Sequence, residues 1–370
     1  MNAKMLDKIN GFSSLIGNTP ILEINFTYKG EPRVLYAKAE HLNMTGSIKD
    51  RMAFHIIKKA YENGKLKEGY RIIEATSGNT GISFSAIGKA MGHPVTIFMP
   101  DWMSSERKNI IKSLGAEVKL VTKEQGGFLG SIKMAEELAA SSTETFLPRQ
   151  FSNSDNTNAH ILTTGPEIYW QLRTRGVVPT AFVAGVGTGG TIMGVGGFLK
   201  QNFPKIKLYP LEPSNSPTMS TGHKVGKHRI QGISDEFIPP IINLKELDSV
   251  VSVDDGDSIL MAQKLAHTLG LGVGISSGAN FLGAIMVQEQ LGNDAKVITI
   301  FSDDNKKYLS TDLLREEPIK PEFISNDVVL KGFRAIKRVC YTCCDPKECA
   351  SCSTVPANEL DALPICPRRK

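Results

Sequence analysis

The chain has 370 residues, of which 41% are hydrophobic and 22% are charged, and its formal net charge is +5. These values are typical of a globular protein of one or two domains, and no apolar run is long enough to predict a transmembrane helix. Most of the excess positive charge lies in residues 331–370, which hold eight Lys and Arg but only four Asp and Glu. The remainder of the chain is nearly neutral, and we therefore expect it to have no nucleic-acid partner. The N-terminus lacks the apolar stretch of a signal peptide, which predicts a cytoplasmic location without membrane association.

Short β-branched runs alternate with helical patterns along most of the chain. The runs that predict strands are 33–40, 71–76, 94–100, 117–122, 180–186, 207–213 and 296–304. Helical patterns lie between them, for example in 50–64 and in 104–115, where Gly115 is a predicted C-cap. Because the strands are apolar almost throughout, the alternation predicts parallel sheets that are covered by helices on both faces.

The first of three polar loops, EATSGNTGIS (74–83), joins a predicted strand to a helix of small residues. It offers hydroxyl and amide groups from Thr76, Ser77, Asn79 and Thr80. These groups, with the free backbone N–H groups of a helix N-terminus, are suited to a carboxylate or a phosphate. The same residue types also form ordinary capped turns, so the loop alone leaves both interpretations open.

The second loop, VAGVGTGGTIMGVGG (183–197), also joins a strand to a helix. Its composition predicts an anion-binding loop, because glycines allow close backbone approach and threonines add donors; the residues concerned are Gly187, Thr188, Gly189, Gly190 and Thr191. With Gly185 the loop also fits G-x-G-x-x-G, and Glu212 ends the next predicted strand, as in dinucleotide-binding proteins. A nicotinamide-dependent dehydrogenase is therefore an alternative.

Lys49 and a third loop add two further candidates. The third loop, GVGISSGAN (272–280), contains Ser276 and Ser277, but a serine N-cap explains it equally well. Lys49 lies between a Thr-Gly-Ser turn and a helix with one apolar face. A helix N-terminus and partial burial both lower the pKa of a lysine, and Schiff-base chemistry needs a neutral amine. Without its neighbours, however, Lys49 is better interpreted as a surface residue.

Taken in chain order, these segments resemble the cysteine synthase/cystathionine β-synthase family, the fold-type II enzymes that use pyridoxal phosphate (PLP). The matching segments are LIGNTPIL (15–22), GSIKDR (46–51), TSGNTG (76–81), QFSN (150–153), TTGPEI (163–168), GTGGT (187–191), SSGA (276–279) and KYLST (307–311). An ordered series of this kind is far more specific than a lone G-x-G-x-x-G, and it disfavours the dehydrogenase alternative.

The resemblance implies a role for each loop. Lys49 would bind PLP as a Schiff base and then act as acid and base. The cofactor would be bound by Asn79 at its 3′-oxygen, by Gly187, Thr188, Gly189, Gly190 and Thr191 at its phosphate, and by Ser276, or alternatively Ser277, at its pyridine nitrogen. The substrate carboxylate would be bound by Thr76, Ser77, Thr80 and Gln150.

The implied activity is PLP-dependent β-replacement or β-elimination on an O-activated serine, a serine or a cysteine, through an aminoacrylate intermediate. A cysteine synthase-like reaction with sulfide or a thiol as nucleophile is the leading interpretation, and the implied partners are small amino-acid substrates and a second copy of the chain in a homodimer. A serine/threonine dehydratase of the same fold is a rival, which the TSGNTG loop disfavours. A non-catalytic sensor or scaffold is another, which the intact Lys49 and phosphate loop disfavour.

The segment ISDEFIP (233–239) departs from the family pattern, because cysteine synthases usually have Gly-Ala-Gly and cystathionine β-synthases Gly-Tyr-Asp at this point. Asp235 and Glu236 could form a solvated acidic loop. Alternatively, one of them faces the intermediate, where it would bind an amino group of the second substrate or activate water or a thiol as a general base. A cysteine lyase or hydratase, or a cystathionine β-synthase-like enzyme that releases or exchanges sulfide, is therefore the alternative activity.

The resemblance also implies a division into domains. Residues 1–40 and 152–317 would form a larger PLP-binding domain and residues 41–151 a smaller, mobile domain that binds the substrate carboxylate. The composition of residues 318–370, which are basic and hold all six cysteines of the chain, predicts a separate C-terminal extension. Four of these, Cys340, Cys343, Cys349 and Cys352, could bind zinc, although their spacing is shorter than in common zinc ribbons. A redox function or an unstructured tail remain alternatives.

Overall fold

The structure, a computed structural model, describes residues 3–337, and within them helices pack on two β-sheets. The strands are β1 (Ile21–Tyr28), β2 (Glu31–Ala39), β3 (Arg71–Ala75), β4 (Val95–Pro100), β5 (Glu117–Val121), β6 (Thr145–Phe146), β7 (Ala181–Gly185), β8 (Lys207–Pro213), β9 (Val251–Val253), β10 (Val297–Phe301) and β11 (Val328–Ile336). The α-helices are α1 (Ala3–Ser13), α2 (Lys49–Glu62), α3 (Asn79–Met91), α4 (Ser105–Ser113), α5 (Gly127–Ala140), α6 (Ser154–Ala159), α7 (Gly165–Arg173), α8 (Gly190–Asn202), α9 (Thr218–Thr221), α10 (Asp255–Leu269) and α11 (Ile275–Leu291). A π-helical turn, His160–Thr164, connects α6 to α7.

Most strands of both sheets are parallel to their neighbours. The larger sheet has the order β11-β1-β2-β10-β7-β8-β9 and the smaller sheet the order β5-β4-β3-β6. All pairs in the smaller sheet are parallel, as are those from β2 to β9 in the larger one. Strand β1 runs antiparallel to β2 and β11. The predicted α/β class with two parallel sheets is thus confirmed, with an antiparallel pair added at one edge.

Strand β11 lies in the range that was predicted to be the C-terminal extension. It pairs with β1 along its whole length, with Ile336 opposite Ile21 and an irregularity between Asn25 and Phe26. Apolar residues alternate towards the core in this strand, which buries Val328, Leu330 and Ile336. The described part of that range therefore belongs to the larger sheet.

The predicted strands all form, with small differences at their ends, because their apolar side chains fill the layers on both faces of each sheet. Every residue of β4 and of β10 is buried, as expected for central strands of covered parallel sheets. Helix α4 begins after Ser104, whose hydroxyl caps the N–H of Arg107, and it ends at Ser113. Gly115 follows with φ +77°, the left-handed conformation that ends many helices and that was predicted from the sequence.

The segment before Lys49 is bonded to the carboxyl end of β10 in the larger sheet. The Ile48 N–H donates to Ser302 O at 2.9 Å, and the Asp304 N–H donates to Gly46 O at 3.1 Å. The buried Lys307 ammonium also donates to Gly46 O, at 2.7 Å. These bonds position Lys49, the first residue of α2, at the edge of the larger sheet where parallel α/β proteins bind their ligands.

A buried cluster of charges joins α2 to β2 and α7. Arg51 forms ion pairs with Glu40 at 2.5 Å and with Glu167 at 2.7 Å, and Lys38 pairs with Glu167 at 2.8 Å. Burial alone would raise the pKa of Glu167, but the charges of Arg51 and Lys38 outweigh it and hold that pKa well below the ordinary range. The cluster thus stays ionised and fixes the helix that carries Lys49.

A bilayer-spanning helix would need a long apolar run, and none of the helices in residues 3–337 has one.

Candidate active site

The loops that follow β3, β7 and β10 converge on one cavity, together with the start of α11. The residues of the predicted site that line it are Lys49, Thr76, Ser77, Asn79, Thr80, Gly187, Thr188, Gly189, Thr191, Asp235 and Ser276. The remaining predicted residues lie close by. Gly190 is the first residue of α8, Gln150 is buried behind the β3 loop, and Glu236 lines an adjoining outer cavity.

The Lys49 side chain lies within the protein, with part of its surface facing the cavity. Burial lowers the pKa of its amine from the ordinary value of 10.5, and the charges of Asp303 and Asp235 oppose this effect only in part. A lysine in this environment is more readily deprotonated than one in water, which is what a nucleophile or base requires.

The glycine loop after β7 leaves no space for side chains. A Cβ atom on Gly187 would lie 2.4 Å from Gly232 O, and one on Gly190 would lie 2.1 Å from Asn156 Oδ1. Gly189 has φ +87°, where a side chain would also be strained. The Asn156 amide donates to Thr188 Oγ1 at 2.9 Å and so orients that hydroxyl. The result is a close-fitting loop at the N-terminus of α8, an arrangement that favours an anion.

The loop after β3 presents hydroxyl groups at the N-terminus of α3. Thr76 Oγ1 accepts a hydrogen bond from Gly78 N at 2.9 Å, and Thr80 Oγ1 donates to Gln150 Oε1 at 2.6 Å. Gln150 in turn donates to Ala75 O at 2.8 Å, so it braces the loop from behind. These hydrogen bonds hold the loop in place at the start of α3, which fits it for a carboxylate.

Two buried oxygen atoms in the cavity have no hydrogen-bond partner. Asn79 Nδ2 donates to Asp303 Oδ2 at 2.7 Å, but Asn79 Oδ1 and Asp303 Oδ1 are both unsatisfied. Asp303 also accepts a hydrogen bond from the Tyr308 hydroxyl. Because buried polar atoms are rarely left unpaired, these two indicate where a ligand binds. Asp303 was not predicted as a site residue, although its position two residues after β10 is a signal that could have identified it.

The structure distinguishes between Ser276 and Ser277 at the start of α11. Ser276 lines the cavity. Ser277 is fully buried, and its Oγ accepts a hydrogen bond from Ser302 N at 3.0 Å. Ser276 is therefore the serine of this pair that is available to a ligand.

Asp235 lines this cavity and also the adjoining outer one. Burial raises the pKa of its carboxyl group to about 6, and the neighbouring charge of Glu236 acts in the same direction, whereas Lys49 opposes the shift. The preceding residue, Ser234, has φ +54° and is held by hydrogen bonds from its hydroxyl to Ser216 O and Thr218 Oγ1, at 2.9 and 3.0 Å. The strained backbone fixes the direction of the segment that carries Asp235.

Arg107 is a second residue of the cavity that was not predicted from the sequence. It lies on α4, in a segment that reads as a solvated helix, yet it is only 2% exposed and lines both the inner and the outer cavity. The four cysteines that were predicted to bind zinc lie outside the described residues. Within residues 3–337, no cluster of His, Cys, Asp or Glu could hold a metal ion.

Comparisons with known proteins agree with this geometry. A family model described as "Pyridoxal-phosphate dependent enzyme" matches residues 12–303. A probable cysteine synthase of Bacillus subtilis is 42% identical over 84% of this chain and 99% of its own length. The structure of a hydrogen sulfide-producing enzyme from Fusobacterium nucleatum is 57% identical over 90% of this chain and 99% of that one, with a TM-score of 0.88. A mutant of that enzyme in complex with an α-aminoacrylate intermediate gives the same values.

A more distant solved structure also matches most of the chain. It is an O-acetylserine dependent cystathionine β-synthase from Helicobacter pylori, which is 37% identical over 85% of this chain and 99% of that one, with a TM-score of 0.75. The chain therefore belongs to the pyridoxal-phosphate-dependent enzymes of the cysteine synthase/cystathionine β-synthase family.

Proposed function

We propose that this PLP-dependent enzyme of the cysteine synthase type takes an O-activated serine as its first substrate and replaces the β-substituent with sulfide or a small thiol. One observation carries the proposal: a lysine with a lowered pKa lies in the same cavity as a glycine loop suited to a phosphate and a hydroxyl loop suited to a carboxylate. Each part of the cofactor and of the amino-acid substrate then has a complementary group in the cavity.

The residues fit the cofactor. The glycine positions of the loop admit no side chain, as expected of a backbone cradle for phosphate, and Asn79 and Asp303 offer unsatisfied oxygens. Residues 187–191 would hold the phosphate, Ser276 the pyridine nitrogen and Asn79 the 3′-oxygen, while Lys49 would bond covalently to the aldehyde carbon. When bound, the cofactor supplies the electron sink that makes the substrate α-proton acidic.

The protein would contribute positioning and proton transfer. Thr76 and Ser77 would donate hydrogen bonds to the substrate carboxylate from their hydroxyl groups, and Thr80 would do so from its backbone N–H, because its hydroxyl donates to Gln150 and so braces the loop. Lys49 would take the α-proton of the bound substrate, because its lowered pKa favours the neutral form of the amine that accepts a proton. The β-substituent then leaves, and the incoming nucleophile bonds to the β-carbon.

A second candidate is the release of sulfide from cysteine, with water as the incoming nucleophile. In that reaction, cysteine and water give serine and hydrogen sulfide. The observation that favours it is Asp235, whose pKa of about 6 leaves it ionised at neutral pH, so that it can take a proton from water or a thiol. The hydrogen sulfide-producing enzyme of Fusobacterium nucleatum also supports it by its 57% identity.

Two assays on the same preparation separate the candidates: cysteine formation from O-acetylserine and sulfide, and sulfide release from cysteine alone. A cysteine synthase-like enzyme gives the higher kcat/KM in the first assay. Lys49→Ala is expected to lose the absorbance of the covalently bound cofactor and at least about a thousandfold of kcat in either assay. Lys58→Ala on the same helix is the matched control. A fully active Lys49→Ala variant would contradict the proposal.

The division into a larger and a smaller, mobile domain, the homodimer, the cytoplasmic location and a zinc site in the C-terminal extension remain predictions from the sequence. The order of the two sheets supports the first, because residues 71–146 form a sheet of their own.

A further inference from the structure

Glu74 is a buried carboxyl group without a cation beside it. It is the penultimate residue of β3 and only 4% exposed. Its Oε1 accepts a hydrogen bond from Ala75 N at 2.9 Å, and its Oε2 accepts one from Gln150 N at 3.3 Å. Within residues 3–337 no basic side chain forms an ion pair with it, since the nearby Arg149 pairs with Glu136 instead. Buried carboxylates normally meet a positive charge, whereas this one is held by backbone N–H groups.

Gln150 connects Glu74 to the loop after β3. The main-chain N–H of Gln150 donates to Glu74, and its carbonyl oxygen accepts a hydrogen bond from the Asn156 amide at 2.8 Å. Its side chain accepts from the Thr80 hydroxyl at 2.6 Å and donates to Ala75 O at 2.8 Å. A displacement of the Gln150 main chain would therefore also displace the end of β3 and the first turn of α3.

The backbone directly before Gln150 is strained. Arg149 has φ +57°, in the left-handed region that a residue other than glycine rarely adopts. Such a conformation persists only where the surrounding structure fixes it. The hydrogen bond from Gln150 N to Glu74 follows immediately and is one of the contacts that hold this turn. Glu74 thus helps to determine where Gln150 lies.

The charge of Glu74 changes near neutral pH. Burial raises the pKa of its carboxyl group from 4.5 to about 7, and the hydrogen bonds from Ala75 N and Gln150 N oppose this shift only in part. Glu74 lines a separate cavity of about 150 Å³, whose other charged residues are the ion pair of Arg149 and Glu136. Strands β4 and β6, on either side of β3, carry no charged side chain. No neighbouring charge therefore takes over when Glu74 gains a proton.

We propose that Glu74 is a positioning residue, whose ionised carboxyl group holds Gln150, and through it Thr80, in the arrangement that binds the substrate carboxylate. This inference rests on the proposed role of the loop after β3. An ionised carboxyl group accepts hydrogen bonds at both oxygens, whereas one oxygen of the protonated group carries a hydrogen and accepts weakly. Protonation thus weakens the longer bond, to Gln150 N, and the affinity for the substrate carboxylate falls in mildly acidic solution.

The test compares two ligands of the holoenzyme that differ in the carboxylate, L-alanine and L-alaninamide. Neither has a leaving group on its β-carbon, so both bind without elimination, and the absorbance of the cofactor reports binding. The ratio of their affinities, corrected for the known protonation of the two free amines, measures the contribution of the carboxylate. For the native protein this ratio should fall about fivefold from about pH 8 to about pH 6, because protonated Glu74 weakens carboxylate binding about tenfold and prevails at the lower pH.

Two variants separate the carboxyl group of Glu74 from its surroundings. Glu74→Gln has one acceptor oxygen, and its amide nitrogen meets the other backbone N–H group, so the ratio should be about tenfold below the native value at about pH 8 and should not depend on pH. Glu136→Gln is the matched control, because it neutralises the other carboxyl group of the same cavity. It should keep both the native ratio and its pH dependence.

A native ratio that stays constant as the pH falls overturns the proposal, even if Glu74→Gln does not fold. A ratio that rises also overturns it, because the charge of Glu74 would then repel the substrate carboxylate. So does a Glu74→Gln variant that binds both ligands more weakly by the same factor, since the role of Glu74 would then be structural. Turnover of O-acetylserine with sulfide is assayed in parallel: the expected ratios without any turnover refute the β-replacement and leave the role of Glu74 standing.

Discussion

Replacing Asp235 by asparagine should stabilise the protein, and by more as the pH rises. The folded protein raises the pKa of this carboxyl group from 3.8 to about 6. An acid whose pKa is raised by folding does not lower the free energy of unfolding while the pH is below its pKa in the unfolded chain. As the pH rises, the loss of stability grows until the pH exceeds the pKa of the group in the folded protein. For a shift of this size the full cost is about 3 kcal/mol, an upper limit because the group faces a cavity.

The pH dependence gives the prediction its magnitude. The cost of ionised Asp235 is about 1.6 kcal/mol at about pH 5 and about 3 kcal/mol at about pH 8. Asparagine does not ionise and bears no such cost. The free energy of unfolding of Asp235→Asn, measured by urea denaturation with saturating cofactor, should therefore exceed that of the native protein by about 1.4 kcal/mol more at the higher pH.

Glu236→Gln is the matched control, because it changes the adjacent carboxyl group, which forms a partly exposed ion pair with Lys224. Loss of such a pair is expected to lower stability by less than about 1 kcal/mol. If the stability difference between Asp235→Asn and the native protein is the same at both values of pH, Asp235 is solvated and the reasoning fails. A stabilised variant that has lost sulfide release would instead show that the buried charge is retained for function.

Three further predictions concern the cofactor loop, the buried charges and the serine pair. Gly187→Ala should weaken binding of PLP at least about tenfold, because the new Cβ atom would meet Gly232 O. The control Gly197→Ala has open space for its Cβ atom and should bind PLP as the native protein does. Equal affinities of the two variants in equilibrium dialysis would contradict this prediction. Arg51→Met leaves the buried Glu40 without its counter-charge, while Glu167 keeps Lys38, and it should lower the free energy of unfolding by about 3–5 kcal/mol in urea denaturation. A loss below about 1 kcal/mol would mean that the cluster is hydrated. Ser276→Ala should shift the absorbance spectrum of bound PLP. Ser277→Ala should instead lower the free energy of unfolding by about 1 kcal/mol, since the N–H group of Ser302 loses its acceptor. The reverse pattern would mean that Ser277, and not Ser276, contacts the cofactor.

The sequence predicts those parts of the fold and cavity that depend on local patterns. Apolar β-branched runs predict the parallel strands, and Gly115 predicts the end of α4, since both effects act within a few residues. Strand β11 was not predicted, because it follows prolines that indicate a loop. It becomes a strand only by pairing with β1, at the other end of the described chain. Long-range pairing of this kind leaves no local signal.

The candidate site shows the same limit. Ordered glycine and hydroxyl loops predict the surroundings of Lys49 well, because each loop carries its own chemistry. Arg107 was not predicted as a site residue, because its helix has the charged sequence SSERKNIIKS, which is typical of an exposed helix. Its burial depends on Tyr308, which lies far along the chain. The choice between Ser276 and Ser277 likewise depends on Ser302, whose contact with α11 the sequence does not reveal.

The hydrogen bonds that tie the Lys49 segment to β10 have an evolutionary consequence. They attach the reactive lysine to the sheet that also carries the glycine loop, whereas the hydroxyl loop extends from β3 of the other sheet. The lysine and the glycine loop are therefore carried by one sheet, and the loop suited to the substrate carboxylate, which includes Asn79, by the other. Substitutions around β3 and α4 can accumulate and change which substrates are accepted, while the lysine and the phosphate cradle stay in place. Because of this separation, the specificity for the nucleophile or the leaving group can change during evolution while every intermediate sequence still binds the cofactor.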